Sequence, residues 1–332
     1  MTIEIDMRPG GSVGVTPSPI TPNRDYSMPD RIYRRGVQIA GLGVLVLLAA
    51  IGFFLINKGF PAFRVAGLSF FTRSGFNTLG HNPTFGVFAS LVGTVEVAMV
   101  AMIVGTPVAI ATAIFLSEYA PRRSRRSLIA LVDLAAAIPS IIFGLWAIFE
   151  LQPNVVGLST WLSRHLAFVP FFKVTSPPLN ASIFIAGLVV GIMIVPIVAS
   201  ICREVFSLAP PGEREAALAL GASRWQMIRT VVIPFGRGGM IGAVMLGLGR
   251  ALEETIAVTI ILGGGFLYGP HILQHGGTTI SQFIVVNFGA GGKLGTQALL
   301  LAGFTLFVIT LIINLAASSI VNRSRSGAGV DL

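Results

Sequence analysis

The chain has 332 residues, of which 53% are hydrophobic and only 11% carry a charged side chain. A soluble domain carries about a quarter charged residues, so this composition excludes an ordinary soluble protein and indicates a polytopic membrane protein. The net charge of +9 does not indicate a nucleic-acid-binding protein, because most basic residues lie beside apolar stretches, where membrane topology explains them.

The chain begins with a polar segment, which is followed by six apolar stretches long enough to cross about 30 Å of hydrocarbon. Residues 1–30 are rich in Pro, Gly, Ser, Thr and Asp and predict a disordered cytoplasmic tail. The first apolar stretch is predicted to be an uncleaved membrane helix. The predicted spans are 36–57, 86–116, 127–150, 182–201, 238–263 and 297–320. We therefore expect an all-α fold, with a transmembrane domain over 31–320 and a cytoplasmic tail over 321–332.

Two of the predicted spans contain helix-breaking residues. Gly105, Pro107 and the length of the second span predict a kink, a tilt or an extension beyond the bilayer. Pro139 and Gly144 interrupt the third span, where Ser140 could hydrogen-bond the freed backbone. Membranes tolerate broken helices where they meet protein or a cavity, so the third span is either a translocation-path helix or an ordinary proline kink.

The distribution of basic residues predicts the orientation of the chain. With the N-terminus inside, the inner segments 1–35, 117–126, 202–237 and 321–332 hold 16 of the 23 Lys and Arg residues, and the outer segments hold six. The remaining one, Arg250, lies within a span. Because basic residues concentrate on the cytoplasmic side, we expect both termini to be cytoplasmic.

The stretch EAALALGASRWQMIRTVVIP (215–234) predicts two short helices on the cytoplasmic side. Strong helix formers precede Gly221, which then ends the first helix or lets another backbone come close. Ser223 and Gln226 have the spacing of a capping box, so a second helix should begin there. Pro234 should end that helix before the fifth span.

The same stretch carries residue types that often anchor a protein partner, namely Arg214, Arg224, Arg229 and Trp225. The local pattern is equally compatible with an amphipathic helix that lies on the anionic inner leaflet.

The membrane spans contain a small number of ionisable residues. Arg250, Glu253 and Glu254 lie near the middle of the fifth predicted span, where either acid can reach the arginine across one helical turn. They predict either a structural ion pair or a polar element of a substrate path, and an arginine suits a tetrahedral oxyanion. Glu96 has no local cation and must be neutral, hydrated or paired between helices. Asp133 could meet Arg125 or Arg126 and is predicted to be structural.

The stretch 215–234 resembles the EAA loop of the ABC-importer permease family. The matching residues are Glu215, Ala216, Ala217, Gly221, Val231, Ile233 and Pro234. In that family the loop forms coupling helices that dock in a cleft of the ATPase subunit. The resemblance therefore implies that ATP-driven motion enters this chain through residues 212–233, with Glu215, Ala216, Ala217, Gly221, Arg224 and Trp225 in the coupling role.

Three further stretches resemble the phosphate importers within that family. They are SEYAPRRSRR (117–126), AAAIPSIIFGLWAIF (135–149) and GLGRALEETIAV (247–258). The similarity covers about residues 36 to 320 and is greater to permeases of the PstC type than to the paired PstA type. In the family a glycine usually stands where this chain has Glu253, so the family's functional Arg and Glu correspond to Arg250 and Glu254.

The resemblance implies a type I ABC-importer permease that forms half of an ATP-driven phosphate pathway in a bacterial plasma membrane. Its implied partners are a PstA-like permease, two copies of a PstB-like ATPase and a phosphate-binding protein on the outer face. The chain has no Walker A motif, so we expect a transporter subunit that is not itself an enzyme and that carries no cofactor. The candidate residues of the pathway or gate are Arg250, Glu253, Glu254, Glu96 and Ser140.

Three other functions remain as alternatives. An importer of molybdate or sulfate would share most of these features. A passive anion channel would have no use for the coupling loop. A membrane-embedded enzyme would need a nucleophile–base set or metal ligands. The single cysteine, Cys202, excludes a cysteine-rich metal site, and His271 and His275 are flanked by glycines that favour two loop histidines over a helical metal site.

Overall fold

The computed structural model describes residues 28–79, 82–175, 179–264 and 271–325, without the side chains of Pro29 and residues 320–325. Its α-helices are α1 Met28–Ala66, α2 Phe88–Ile114, α3 Arg125–Ala136, α4 Ser140–Trp146, α5 Gln152–His165, α6 Ile183–Ser207, α7 Pro211–Ala219, α8 Arg224–Met227, α9 Ile233–Glu253, α10 Ile256–Leu262, α11 Ile280–Val286 and α12 Gly292–Arg325. Wider π turns occupy Phe115–Tyr119, Ala147–Leu151 and Ile228–Val232, and 3₁₀ turns occupy Gly67–Phe71 and Pro170–Phe172.

Six helical stretches among the described residues are long and apolar enough to cross a membrane. They are Asp30–Phe71, Phe88–Tyr119, Ser140–His165, Ile183–Ser207, Arg224–Glu253 and Gly292–Ser319. The prediction of six spans and of an all-α class is confirmed, with one small addition. Strands β1 (Ser74–Asn77) and β2 (Thr84–Val87) form an antiparallel hairpin that was not predicted.

The third predicted span, 127–150, was placed wrongly. Helix α3 ends at Ala136, and a new helical stretch begins at Ser140 and continues to His165. Pro139 causes the break because it lacks an N–H group and disfavours helical geometry in the residue before it. Pro139 itself has an extended ψ of 138°. Helix α3 is therefore a separate short helix without a fully buried residue.

The fifth predicted span, 238–263, is also displaced along the chain. The helical stretch begins at Arg224, passes through Pro234 and ends at Glu253, so the prediction that Pro234 ends a short helix was wrong. The π turn Ile228–Val232 ends two residues before this proline. A wider turn accommodates a residue that cannot donate the regular helical hydrogen bond.

Helices α2 and α6 pack with their backbones in close contact. A Cβ atom on Gly105 would lie 2.6 Å from the carbonyl oxygen of Gly191, and one on Gly187 would lie 2.5 Å from Cβ of Val100. Helix α9 contacts α6 in the same way, because a Cβ on Gly247 would lie 2.7 Å from Cγ2 of Val198. These small residues let three membrane helices share one core around α6.

A second hydrophobic cluster joins the end of α1, the hairpin, α11 and α12. A Cβ on Gly59 would lie 2.8 Å from the backbone nitrogen of Leu301. The rings of Phe76 and Phe283 meet edge to face at 5.5 Å between centroids. The hairpin is thus held to α11 by an aromatic contact.

The chain divides into two compact units, residues 1–51 and 52–332. In the first unit, residues 28–51 form the first part of α1, and their described side chains are exposed. Most of the predicted tail 1–30 lies outside the described residues, although Met28–Asp30 are helical. Of the predicted tail 321–332, residues 321–325 belong to α12 and the rest lie outside the described residues.

Candidate functional site

The first candidate site is the helix–turn–helix formed by α7 and α8. Helix α7 ends in a Schellman motif, in which Ala222 N–H donates to Ala217 O at 3.1 Å and Gly221 N–H donates to Leu218 O at 3.0 Å. Gly221 has a φ of +84°, and a Cβ there would have no atom of the described chain within 4 Å. Gly221 is therefore required here for its left-handed backbone, which ends α7.

Helix α8 begins with the predicted capping box, which is confirmed. Ser223 N–H donates to Gln226 Oε1 at 2.7 Å, and Gln226 N–H donates to Ser223 Oγ at 3.3 Å. Both bonds satisfy backbone donors that have no partner within the helix.

The turn between these helices exposes large apolar side chains. Leu220 is 90% exposed and Trp225 is 53% exposed. Glu215 and Ala216 are also exposed, whereas Ala217 packs against the core. One face of α7 therefore fits the membrane helices, and the opposite face together with the turn is open for contact with something outside this chain.

Arg214 connects α7 to the ends of two membrane helices, although its residue type had indicated an anchor for a partner protein. Its Nη1 lies 3.1 Å from Oε1 of Glu118, in the π turn that ends α2. Its Nη2 donates to the carbonyl oxygen of Phe206 in the last turn of α6. We call Arg214, Glu118 and the Phe206 carbonyl the Arg214 clamp. Close beside it, the guanidinium of Arg224 lies 5.5 Å from the ring centroid of Tyr119.

The second candidate site is the break between α9 and α10. Arg250 Nη2 lies 3.4 Å from Glu254 Oε2, and the two side chains are 48% and 3% exposed. Glu254 Oε1 also accepts a hydrogen bond from Ala257 N–H, at 3.3 Å, in the first turn of α10. The buried carboxylate therefore caps one helix and holds the arginine of the other.

The acidic residues of this site are not equivalent. Glu253 is exposed and is the last residue of α9, whereas Glu254 lies in the break itself. The expectation that the cluster lies near the middle of a continuous span was wrong, because the helix ends there. Of the two predicted pairings, the structure forms the one between Arg250 and Glu254.

The break is fastened to α11 and, through α11, to α2. Ser281 Oγ donates to the carbonyl oxygen of Glu254 at 3.3 Å. The backbone N–H of the preceding residue, Ile280, donates to Thr94 Oγ1 at 2.9 Å. Gln282 is fully buried, and its Nε2 has no hydrogen-bond partner among the described residues. Hydrogen bonds thus link Glu254, the partner of Arg250, to α11 and through α11 to α2.

The remaining pathway candidates do not contact this pair. Glu96 is buried on α2, and within the described ranges its carboxylate has neither an ion-pair partner nor a hydrogen bond. Ser140 is half-buried at the start of α4, which packs closely on α10, since a Cβ on Gly144 would lie 3.0 Å from Cα of Ala257. Asp133 accepts a hydrogen bond from Ser200 Oγ at 3.2 Å, and not from the arginines that were expected.

The two histidines considered as metal ligands contact different parts of the backbone. His271 Nδ1 lies 3.0 Å from the carbonyl oxygen of Pro170, and His275 Nδ1 lies 3.3 Å from that of Asn180. Because a carbonyl oxygen only accepts, each Nδ1 carries the proton and donates. Their i,i+4 spacing does not fall on a helix.

Sequence reasoning missed the residues that hold these sites in place. Thr279 and Gln282 form a capping box at the start of α11, and their spacing is a signal that could have been found. Glu118 and Tyr119 carried no comparable signal, because Glu118 lies 96 residues from Arg214 in the chain.

Comparison with known proteins gives consistent matches over most of the chain. Residues 105–326 match the family described as binding-protein-dependent transport system inner membrane component. The phosphate transport system permease protein PstC 2 of Mycobacterium tuberculosis is 40% identical over 302 residues, which cover 90% of this chain and 93% of that protein. The PstC protein of Haemophilus influenzae is 34% identical over 303 residues, which cover 90% of this chain and 95% of that protein.

A solved structure with a similar fold belongs to a bacterial ABC transporter involved in the import of the acidic polysaccharide alginate. Its chain aligns with a TM-score of 0.53 at 18% sequence identity and covers 88% of this chain and 99% of its own. This likeness shows that the chain has the fold of an ABC-importer permease.

Proposed function

This chain belongs to the family of inner membrane components of binding-protein-dependent transport systems, and from that premise we propose that it is the phosphate permease subunit of an ATP-driven importer. It is a multi-pass membrane protein and forms half of the translocation pathway. The observation that carries the phosphate specificity is the 40% identity to a PstC permease over 90% of the chain. The ATPase activity resides in a separate subunit.

The α7–α8 turn is the proposed docking surface for that ATPase. Leu220 and Trp225 are large, apolar and exposed, although α7 is too short and too polar to be a membrane span. Apolar and aromatic side chains exposed outside the spans are typical of protein-binding surfaces. Glu215, Ala216 and Arg224 lie on the same exposed part, and Gly221 shapes it.

Arg250 is the proposed contact for the anion in transit or for the gate. Its side chain is 48% exposed in the last turn of a predominantly apolar helix. A guanidinium in that position must find water or a partner, and a hydrated pathway supplies both. Its planar fork donates two hydrogen bonds at once to a tetrahedral oxyanion, while Glu254 fixes its position. We place Glu96 and Ser140 along the same pathway as further candidates, whereas Glu253, exposed at the end of α9, lies beside it without holding Arg250.

The orientation follows from the excess of basic residues around α7 and α8. With this end on the cytoplasmic side of a bacterial plasma membrane, the docking surface faces the compartment that contains ATP. The partners are a PstA-like permease, two PstB-like ATPase copies and a phosphate-binding protein on the outer face. The docking arrangement favours an importer over a passive channel, which needs no ATPase.

Uptake of radioactive phosphate by proteoliposomes that contain this chain and its proposed partners tests the function. We expect uptake that requires both ATP and the PstB-like subunit and that an excess of sulfate or molybdate leaves unchanged. Uptake without ATP would establish a channel instead. Transport of sulfate or molybdate in place of phosphate would show that the chain belongs to an importer of another oxyanion.

Docking is tested with Leu220→Ser and Trp225→Ala, each compared with Phe168→Ala. Phe168 is 79% exposed but lies between α5 and α6, away from the proposed surface. We expect the first two variants to lose co-purification with the ATPase subunit and the third to retain it. Equal retention in all three would contradict the docking surface.

A further inference from the structure

The π turn Phe115–Tyr119 holds the end of α2 against the helices of the proposed docking surface. Its Glu118 contacts Arg214 of α7, and its Tyr119 contacts Arg224 of α8. We infer that Glu118 and Arg214 are positioning residues, which transmit movement of α7 and α8 to α2. The inference rests on the proposed function, because it concerns the step between ATPase docking and transport.

The ion pair of the Arg214 clamp is close and largely buried. Arg214 Nη1 lies 3.1 Å from Oε1 and 3.5 Å from Oε2 of Glu118, so it contacts both carboxylate oxygens. The Glu118 side chain is only 6% exposed and that of Arg214 is 21% exposed. A largely desolvated ion pair holds its geometry more firmly than one at the surface, where water and salt compete.

Little else of α7 is anchored in the membrane helices. None of its side chains is fully buried, and Ala217 contributes one small apolar contact. Arg214 joins α7 to α2 through Glu118 and to α6 through the Phe206 carbonyl. A displacement of α7 therefore acts on the ends of these two helices together.

Helix α2 connects this clamp to the other candidate site. Glu118 lies 24 residues after Thr94 in one continuous helical stretch, about 36 Å at 1.5 Å per residue. At the far end, Thr94 accepts a hydrogen bond from Ile280 N–H, and the adjacent Ser281 donates to the Glu254 carbonyl. Two hydrogen bonds therefore connect α2 to Glu254, the residue that holds Arg250, so that movement of α2 reaches it.

The test measures phosphate transported per ATP hydrolysed in the complete complex. The variants are Glu118→Gln, Arg214→Gln and the two together. We expect each single variant to assemble and hydrolyse ATP, but to transport about tenfold less phosphate per ATP, a typical size for coupling between sites. The double variant should lose no more than either single variant, because both remove the same interaction.

Matched controls separate this role from loss of charge or loss of fold. Arg123→Gln and Glu204→Gln remove one exposed charge of each sign, close to the clamp but outside it, and should retain the wild-type ratio. Arg214→Lys keeps the positive charge without the planar fork, so it should transport more phosphate per ATP hydrolysed than Arg214→Gln does.

Two results would overturn the inference. One is a wild-type ratio in an assembled Glu118→Gln or Arg214→Gln complex. The other is loss of ATPase assembly in these variants and in Arg214→Lys alike, because the pair would then only maintain the docking surface. A wild-type complex that transports no phosphate would instead contradict the proposed function, so the two failures are distinguishable.

Discussion

Gly221 ends α7 in a left-handed conformation with open space where a side chain would begin. An L-residue pays about 1–2 kcal/mol for this conformation, and asparagine tolerates it better than other residues. We predict that ATPase binding falls in the order wild type, Gly221→Asn, Gly221→Ala and Gly221→Val. Binding of purified ATPase subunit to each reconstituted variant measures this order.

The series also distinguishes a backbone effect from a steric one. If the docked ATPase left no room for any side chain, Gly221→Asn would bind no better than Gly221→Ala. Equal loss in these two variants would therefore show that close approach of the partner, and not the φ angle, requires the glycine.

Glu254 and Glu253 are adjacent acids with different surroundings. Glu254→Gln keeps an oxygen for Ala257 N–H but loses the charge that holds Arg250. A hydrogen bond to a charged group contributes about 1.5–3 kcal/mol, so uptake should fall about tenfold or more. Glu253→Gln changes an exposed side chain and should stay within about twofold of wild type. Initial rates of phosphate uptake compare the two, and a larger loss in Glu253→Gln would contradict the assignment.

Glycine contacts between α2 and α6 determine how closely these helices approach. A side chain on Gly187 would collide with Val100, whereas one on Gly157 in α5 would meet no atom within 4 Å. Overpacking a core costs about 1–3 kcal/mol, so Gly187→Leu should lower the melting temperature in detergent. Gly157→Leu is the control of equal size and should leave it unchanged. Similar melting temperatures for both variants would contradict the tight helix contact.

The number of membrane helices follows from the sequence, but the limits of two of them do not. Apolar length is a local property, so all six spans were predictable. Whether a proline breaks a helix depends on the turn before it. Helix α3 ends before Pro139, whereas the helix that contains Pro234 continues through this proline after a π turn. The sequence does not distinguish these two kinds of proline, and the third and fifth spans were therefore misplaced.

The candidate sites were predictable to a similar extent. The capping box at Ser223 and the pair of Arg250 with Glu254 depend on spacings of three or four residues and could be derived locally. The Arg214 clamp and the bond between Ser281 and Glu254 depend on how helices distant in sequence pack together. No periodicity or motif encodes those contacts, so only the structure reveals them.

The uneven distribution of basic residues predicts the orientation of the whole molecule. We expect Leu220, which is 90% exposed between α7 and α8, on the cytoplasmic side and Phe288, which is 80% exposed between α11 and α12, on the outer side. The only native cysteine, Cys202, is buried, so the native chain is a suitable background for thiol labelling.

A membrane-impermeant thiol reagent added to intact cells tests this orientation. Phe288→Cys should be labelled directly, and Leu220→Cys should be labelled only after the cells are permeabilised. The reverse pattern would place the α7–α8 turn outside and remove the basis for ATPase docking.

The Arg214 clamp also predicts how its two charged residues change during evolution. Positions 118 and 214 are 96 residues apart in the chain but share one largely desolvated ion pair. Loss of either charge leaves the other buried without compensation, which is costly, so natural selection should act on the two positions together. Among related permeases, a neutral residue at the position of Glu118 should accompany a neutral residue at the position of Arg214. Ancestral sequences reconstructed along such lineages should show both replacements on the same branch.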